Sequence, residues 1–206
     1  MKRAAIAAFS LLALAGCKTA PALQQTDWRT VVTSADRERL REWRSSFERA
    51  VASARAAGHG AQIAREGRLL EPDAAIPGRL PNGLYRCRVI KLGARSPGLL
   101  DYIAYPAFTC QVRPERDLQG FAKLGGSQRH VGLLFRADAL RQLFLGTLVL
   151  GDETRSMRYG RDPERDVAGW VEQVEPRRWR MVLPAPRFES LTDVIELVPQ
   201  DQAKTQ

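Results

Sequence analysis

The chain has 206 residues, 44% of them hydrophobic, which is enough for one domain with a real core. Its net charge is +9, from 32 basic and 23 acidic residues. The basic residues are mostly arginines interleaved with acids along the whole chain, so the clustered footprint of a nucleic-acid binder is missing and no nucleic-acid partner is expected.

Met1 to Gly16 reads MKRAAIAAFSLLALAG, a positive start followed by a short apolar run. The run is too short for a membrane span, which needs about 20 apolar residues, and has the architecture of an export signal. Its end, Leu14-Ala15-Gly16-Cys17, resembles the lipobox of bacterial lipoproteins. That resemblance implies cleavage before Cys17 and acylation of Cys17 on its sulfur and its amino group. Each buried CH₂ of such chains contributes about 0.8 kcal/mol, so several chains together anchor stably. Loss of Lys2 and Arg3 with the signal, and of no acid, leaves +7. Residues 17–26 then form a tether to the membrane. Lys18, rather than Asp, follows the cysteine, which favours the outer membrane with the protein facing the periplasm.

Residues 27–72 read as a helical lead-in. Thr33 and Asp36 fit a capping pattern, and Leu40, Trp43, Phe47, Val51 and Ala54 recur on one helical face. Gly58 is a natural stop. A second helix is predicted over Ala61 to Leu69. The aromatic stripe reads as core packing. The two histidines, His59 and His130, have no ligand-spaced neighbours, so neither a metal nor a cofactor is expected.

From 83 to 199 the texture becomes strand-rich. Strands are predicted near Leu84–Leu92, Ala107–Val112, Gly120–Leu124, His130–Phe135, Leu143–Leu150, Ser156–Tyr159, Gly169–Val174, Arg178–Leu183 and Asp193–Val198, with a helical turn over Ala137 to Gln142. Tyr85, Cys87 and Val89 share one face, as do Trp179, Met181 and Leu183. No helix-length segment separates the strands, which argues against parallel βαβ units. The expected fold class is α+β and mainly antiparallel: a helical lead-in on a calycin-like β-barrel meander. Residues 200–206 are expected to be a disordered tail. In an exported chain, Cys87 and Cys110 read as a disulfide, for which loop entropy gives roughly 3.4 kcal/mol.

The runs YRCRVIKLG from Tyr85, SPGLLDYIAYPAF from Ser96, KLGGSQR from Lys123, FLGTLVLGDETRSMRYGRDPERD from Phe144 and RWRMVLPAPRFESLTDVIELVP from Arg178 resemble a proteobacterial family of exported proteins. That family is catalogued as domain of unknown function 4893. The likeness runs from about Asp27 to Pro199. It implies export and brings no activity, substrate or catalytic residue.

Candidate binding residues therefore come from side-chain chemistry alone. Leu143 to Trp170 holds Asp152, Glu153, Arg155, Tyr159, Arg161 and Asp162 in a dense run of mixed charge. Paired carboxylates there could serve glycoside hydrolysis if they flanked a cleft. Arginine forks pairing with carboxylates around a long loop are the simpler reading. The glycine turn from Lys123 through Ser127 to Arg129 could present amides and side chains to an anion. Arg187 and Glu189 could join from a neighbouring loop. No residue is assigned a catalytic role. The preferred reading is an envelope lipoprotein that binds a small ligand or an envelope protein; the alternative is a carboxylate-dependent hydrolase of an envelope polymer.

Overall fold

Thr33 opens the first long helix. Its hydroxyl accepts from the amide of Asp36, which satisfies one of the free N–H groups that every helix start leaves exposed. In the computed structural model, which describes residues 26–201, helix α1 covers Ser34–Arg41 and α2 covers Trp43–Ala54. Gly58 does not stop the helical path. At φ 92° it lets the chain turn through Arg55–His59 into α3, Gly60–Glu66, which a 3₁₀ turn extends over Gly67–Leu70. The expected second helix is thus split by Gly67. The export signal and Cys17 lie outside the described residues, as does most of the tether and of the tail.

Among the described residues nine antiparallel strands follow: β1 Gly83–Ala94, β2 Tyr102–Ala104, β3 Phe108–Glu115, β4 Leu118–Lys123, β5 Gln128–Arg136, β6 Arg141–Leu150, β7 Asp166–Glu175, β8 Arg178–Pro184 and β9 Ser190–Pro199. From β3 to β9 each strand pairs with the next, and β9 returns to pair with β1 from Tyr85↔Pro199 to Ala94↔Ser190. β1 also pairs with β3 through Gly83–Cys87 and, higher up, with β2 through Ile90–Leu92. The result is an eight-stranded up-and-down barrel with β2 as an extra strand. This is the mainly antiparallel fold with a helical lead-in that the sequence pattern predicts.

Three details differ from that expectation. Ser156–Tyr159 is not a strand; it lies in the long β6–β7 loop, where Ser156, Met157 and Arg158 are exposed and only Tyr159 packs against the core. Ala137–Gln142 is not a helical turn. The Asp138 carboxylate accepts from the amides of Leu140 and Arg141, closing a hairpin turn instead. The short β2 was not foreseen.

Inward positions follow strict alternation, with Tyr85, Cys87, Val89, Phe121, Leu134, Phe144, Met181, Ile195 and Leu197 filling the barrel. Cys87 and Cys110 are bonded inside it, and join β1 to β3 where the two strands part. The lower end is closed by the lead-in to β1. Leu80 is buried there, its amide donating to Gln142 Oε1 at 2.8 Å and its carbonyl accepting from Gln119 Nε2 at 3.0 Å.

The outward residues Ile90, Leu92, Val182 and Val194 meet Trp43, Phe47, Ala50 and Val51 of α2. The strands under the helix are therefore apolar on both faces. Arg180, on the outward face of β8, is 0% exposed and lies over the Phe47 ring. It donates to Glu172 at 2.7 and 2.9 Å and to the carbonyls of Leu69 and Glu71. Nearby, Arg88 bridges Glu66 of α3 to Glu196 of β9. Burial alone would raise Glu66, but hydrogen bonds from Arg88 and Tyr102 outweigh it and hold its pKa below the usual value.

Breaking one side of a buried ion pair leaves the other charge uncompensated, at a cost of roughly 3–5 kcal/mol. Glu172→Gln is therefore expected to lower stability by about that amount in urea unfolding. The exposed pair Arg41–Glu38 should be nearly silent when broken.

Candidate functional site

The four loops joining β1 to β2, β4 to β5, β6 to β7 and β8 to β9 gather at the upper barrel end, opposite the Leu80 plug. Inside this end, above the disulfide, lies a cavity of about 130 Å³. Val89, Tyr105 and Phe108 supply its apolar wall, and Lys91, Lys123, Ser127, Gln128, His130 and Glu189 its polar one. It forms here because β3 begins only at Phe108, after Pro106, leaving the upper half of β1 without β3 beside it. A larger groove of about 650 Å³ runs along the outer wall of β3 to β5, but no buried polar side chain lines it.

The cavity's charges are arranged unevenly. Lys91 and Asp193 face each other across β1 and β9, buried, with Nζ and Oδ2 3.2 Å apart. Ser190 donates to the other oxygen of Asp193. Glu189 Oε2 lies 3.2 Å from the same ammonium. Burial would lower Lys91, but Asp193 and Glu189 outweigh it and raise its pKa; burial raises Asp193 despite the lysine. Lys123 is 4% exposed and has no carboxylate partner among the described residues. Its ammonium donates to the carbonyls of Gly125 and Gln128 and lies 3.8 Å from the Phe108 ring centre. Burial, Arg129 and Lys91 together push its pKa down to about 8. His130 is 3% exposed, and its Nδ1 has no hydrogen-bond partner. Burial, Lys123 and Lys91 push it down to about 3, so the imidazole is neutral at pH 7.

Two backbone features shape the mouth. Ser190 N donates to Phe188 O at 2.8 Å around Glu189 at φ 69°, a positive-φ γ-turn of the rare, strained kind. It aims the Glu189 carboxylate at Lys91. Gly126 has φ 82°, and a Cβ there would lie 2.8 Å from Lys123 Nζ and 3.0 Å from the Phe108 ring. The glycine turn thus presents carbonyls to a lysine, where the sequence suggested amides presented to an anion.

The sequence candidates divide accordingly. Lys123, Ser127 and Glu189 come together in the cavity. Arg129 turns away to the rim and donates to the carbonyls of Gly126, Gly151 and Glu153, tying the β4–β5 loop to the β6–β7 loop. Glu153 accepts from Arg165, which also pairs with Asp162. Hydrogen bonds from Arg165 and the amide of Leu150 hold Glu153 below its usual pKa, the reverse of what a general acid needs. Arg187 pairs with Glu164. Tyr159 donates to Asp36 and latches the β6–β7 loop to α1. Asp152, Arg155 and Arg161 are exposed and make no side-chain hydrogen bond among the described residues. These carboxylates do not converge on a cleft. Among the described residues, no three of His, Cys, Asp and Glu are placed to hold a metal ion.

Sequence reasoning did not single out Lys91, His130 or Asp193 as site residues. One signal was present. The inward alternation of Tyr85, Cys87 and Val89 continues to Lys91, and a lysine at an inward barrel position is unusual.

Family comparison resolves the resemblance. The family described as Domain of unknown function (DUF4893) matches residues 28–197. The chain belongs to that family. The match takes in both the helical lead-in and nearly all of the barrel, so the DUF4893 domain is the two together. No curated protein and no solved structure matches the chain.

A proton taken up by unfolded His130 near pH 6.5 is refused by the folded protein until about pH 3. The unfolded state therefore binds more protons in that window, and stability falls as pH drops through it. Asp193, whose pKa is raised in the folded state, acts in the opposite sense. The difference between wild type and His130→Leu isolates the histidine: urea midpoints should show a shallower loss between pH 6.5 and 4 in the variant.

Proposed function

We propose that this protein is an envelope lipoprotein whose barrel binds a small ligand at its upper end without converting it. The observation that carries the binding reading is the cavity above the disulfide, walled by an aromatic pair and by buried polar side chains of which His130 lacks a partner. Small barrels closed at one end and hollow at the other commonly take one ligand in this way. The rim carboxylates speak against the hydrolase alternative, since Glu153, Asp162 and Glu164 each meet an arginine rather than a cleft.

The lipoprotein part rests on the signal-like start and on Leu14-Ala15-Gly16-Cys17. The fold suits it. The amide and hydroxyl of Thr26 donate to Asp117 in the β3–β4 turn, at the plugged end of the barrel. A tether entering there directs the cavity away from the membrane that holds the anchor.

Two measurements test this. Labelling with radioactive palmitate should mark the wild type and not Cys17→Ser, which should move to the soluble periplasmic fraction; equal labelling of both rejects lipidation at Cys17. Val89→Phe should fill the cavity. Native mass spectrometry of protein purified from its own envelope should show a bound small molecule that this variant lacks; retention by the variant rejects the cavity as the site.

A further inference from the structure

We infer that the barrel-mouth cavity recognises a small organic carboxylate, whose head group displaces Glu189 from Lys91 and faces Lys123 and His130. This rests on the reading of the mouth as a ligand site and specifies its chemistry.

Three observations converge. Lys123 is a buried ammonium with carbonyls and a ring face around it but no counter-charge. Buried charges are ordinarily paired, so the anion that would complete this one belongs to something outside the described chain. His130 Nδ1 is a second buried polar atom in the same wall with nothing to bond. An imidazole can carry its proton on that nitrogen and donate it to a carboxylate oxygen.

The third observation is Glu189. Lys91 already has a buried partner in Asp193, so Glu189 is a second counter-ion, 41% exposed and carried on a strained turn. A side chain so far in solvent, beside a lysine that keeps Asp193 as its partner, costs little to move. Its carboxylate occupies the cavity edge where a ligand's carboxylate would be placed. The chain thus supplies its own weak occupant, and a free carboxylate competes with it.

The apolar wall sets the rest of the molecule. Val89, Phe108 and the ring of Tyr105 suit a short hydrocarbon tail or a ring, and the Tyr105 hydroxyl is the one polar group among them. A volume of about 130 Å³ approaches that of the roughly 150 Å³ cavities that take one benzene ring. Butyrate and benzoate are of this size. Inorganic phosphate would satisfy the lysines and leave the apolar wall uncovered.

The experiment titrates the full barrel, with its disulfide intact, against butyrate, benzoate, butanol, butylamine and inorganic phosphate at constant ionic strength. Amide chemical shifts of Val89, Gln128 and His130 are followed, together with the His130 ring nitrogens. Butyrate and benzoate should bind saturably and shift the His130 Nδ1 resonance. Lys123→Met should weaken them about tenfold or more, the scale of a lost charge-assisted hydrogen bond. Removing an ammonium without a counter-ion should leave the fold intact, as circular dichroism would verify.

Glu189→Gln decides the sign of the ligand. It should tighten carboxylate binding several-fold by removing the competitor, whereas a cationic ligand would bind more weakly. Tighter binding of butylamine or butanol at the same amides, or weaker butyrate binding by Glu189→Gln, overturns the carboxylate while leaving the mouth as the site. Silence from all five probes also overturns it, and the barrel mouth itself falls if Val89→Phe keeps the envelope-derived ligand.

Discussion

The fold depends on one strand using both of its edges. β1 is hydrogen-bonded to β9 along nearly its whole length on one side, and on the other first to β3 and then to β2. The β9 ladder closes the barrel, removing the open edges that would otherwise template aggregation. The change of partner on the other side, from β3 to β2, opens the wall. The disulfide stands at that change, between Cys87 and Cys110, so the covalent link marks the boundary between the packed lower barrel and the cavity above it. Closure and cavity are two consequences of the same strand.

The helical lead-in is fastened to the outside of this barrel by a polar staple set in an apolar field. α2 buries Phe47 and Val51 against the outward residues of β1, β8 and β9. Arg180 rises through that layer and binds the carbonyls at the end of the helical segment, with Glu172 as its counter-charge. The carbonyls left free where a helix ends need donors, and a guanidinium has five. Hydrophobic burial gives the contact its strength, while the guanidinium fixes where along the barrel the lead-in ends.

The two ends of the barrel treat polar groups in opposite ways. At the lower end Gln119 and Gln142 satisfy each other and the Leu80 backbone, so the plug is fully bonded. At the upper end the bonding is incomplete: Lys123 lacks a counter-ion, His130 lacks a partner and Glu189 is held on a strained turn. Unsatisfied buried groups and backbone strain are costly and cluster where proteins hold ligands, which supports the binding proposed for this end.

Much of the architecture was legible locally. Alternation placed Tyr85, Cys87 and Val89 on one face, and the expectation of export, with two cysteines left, pointed to the disulfide that is present. The Arg–carboxylate reading of the β6–β7 loop also needed only charge and spacing, and Glu153, Asp162 and Arg165 are arranged that way. Ser156–Tyr159 misled because only Tyr159 of the four packs against the core, and one inward residue does not hold a strand. What the sequence by itself determined was therefore the list of inward and outward residues on each strand, since that periodicity is a property of the backbone. Which inward residues meet was decided by the tertiary structure alone. Lys91, Lys123, His130 and Asp193 lie on four different strands, and only barrel closure and the register of each ladder bring them to one level. A cavity is a relation between distant segments, and the chain's local chemistry does not encode it.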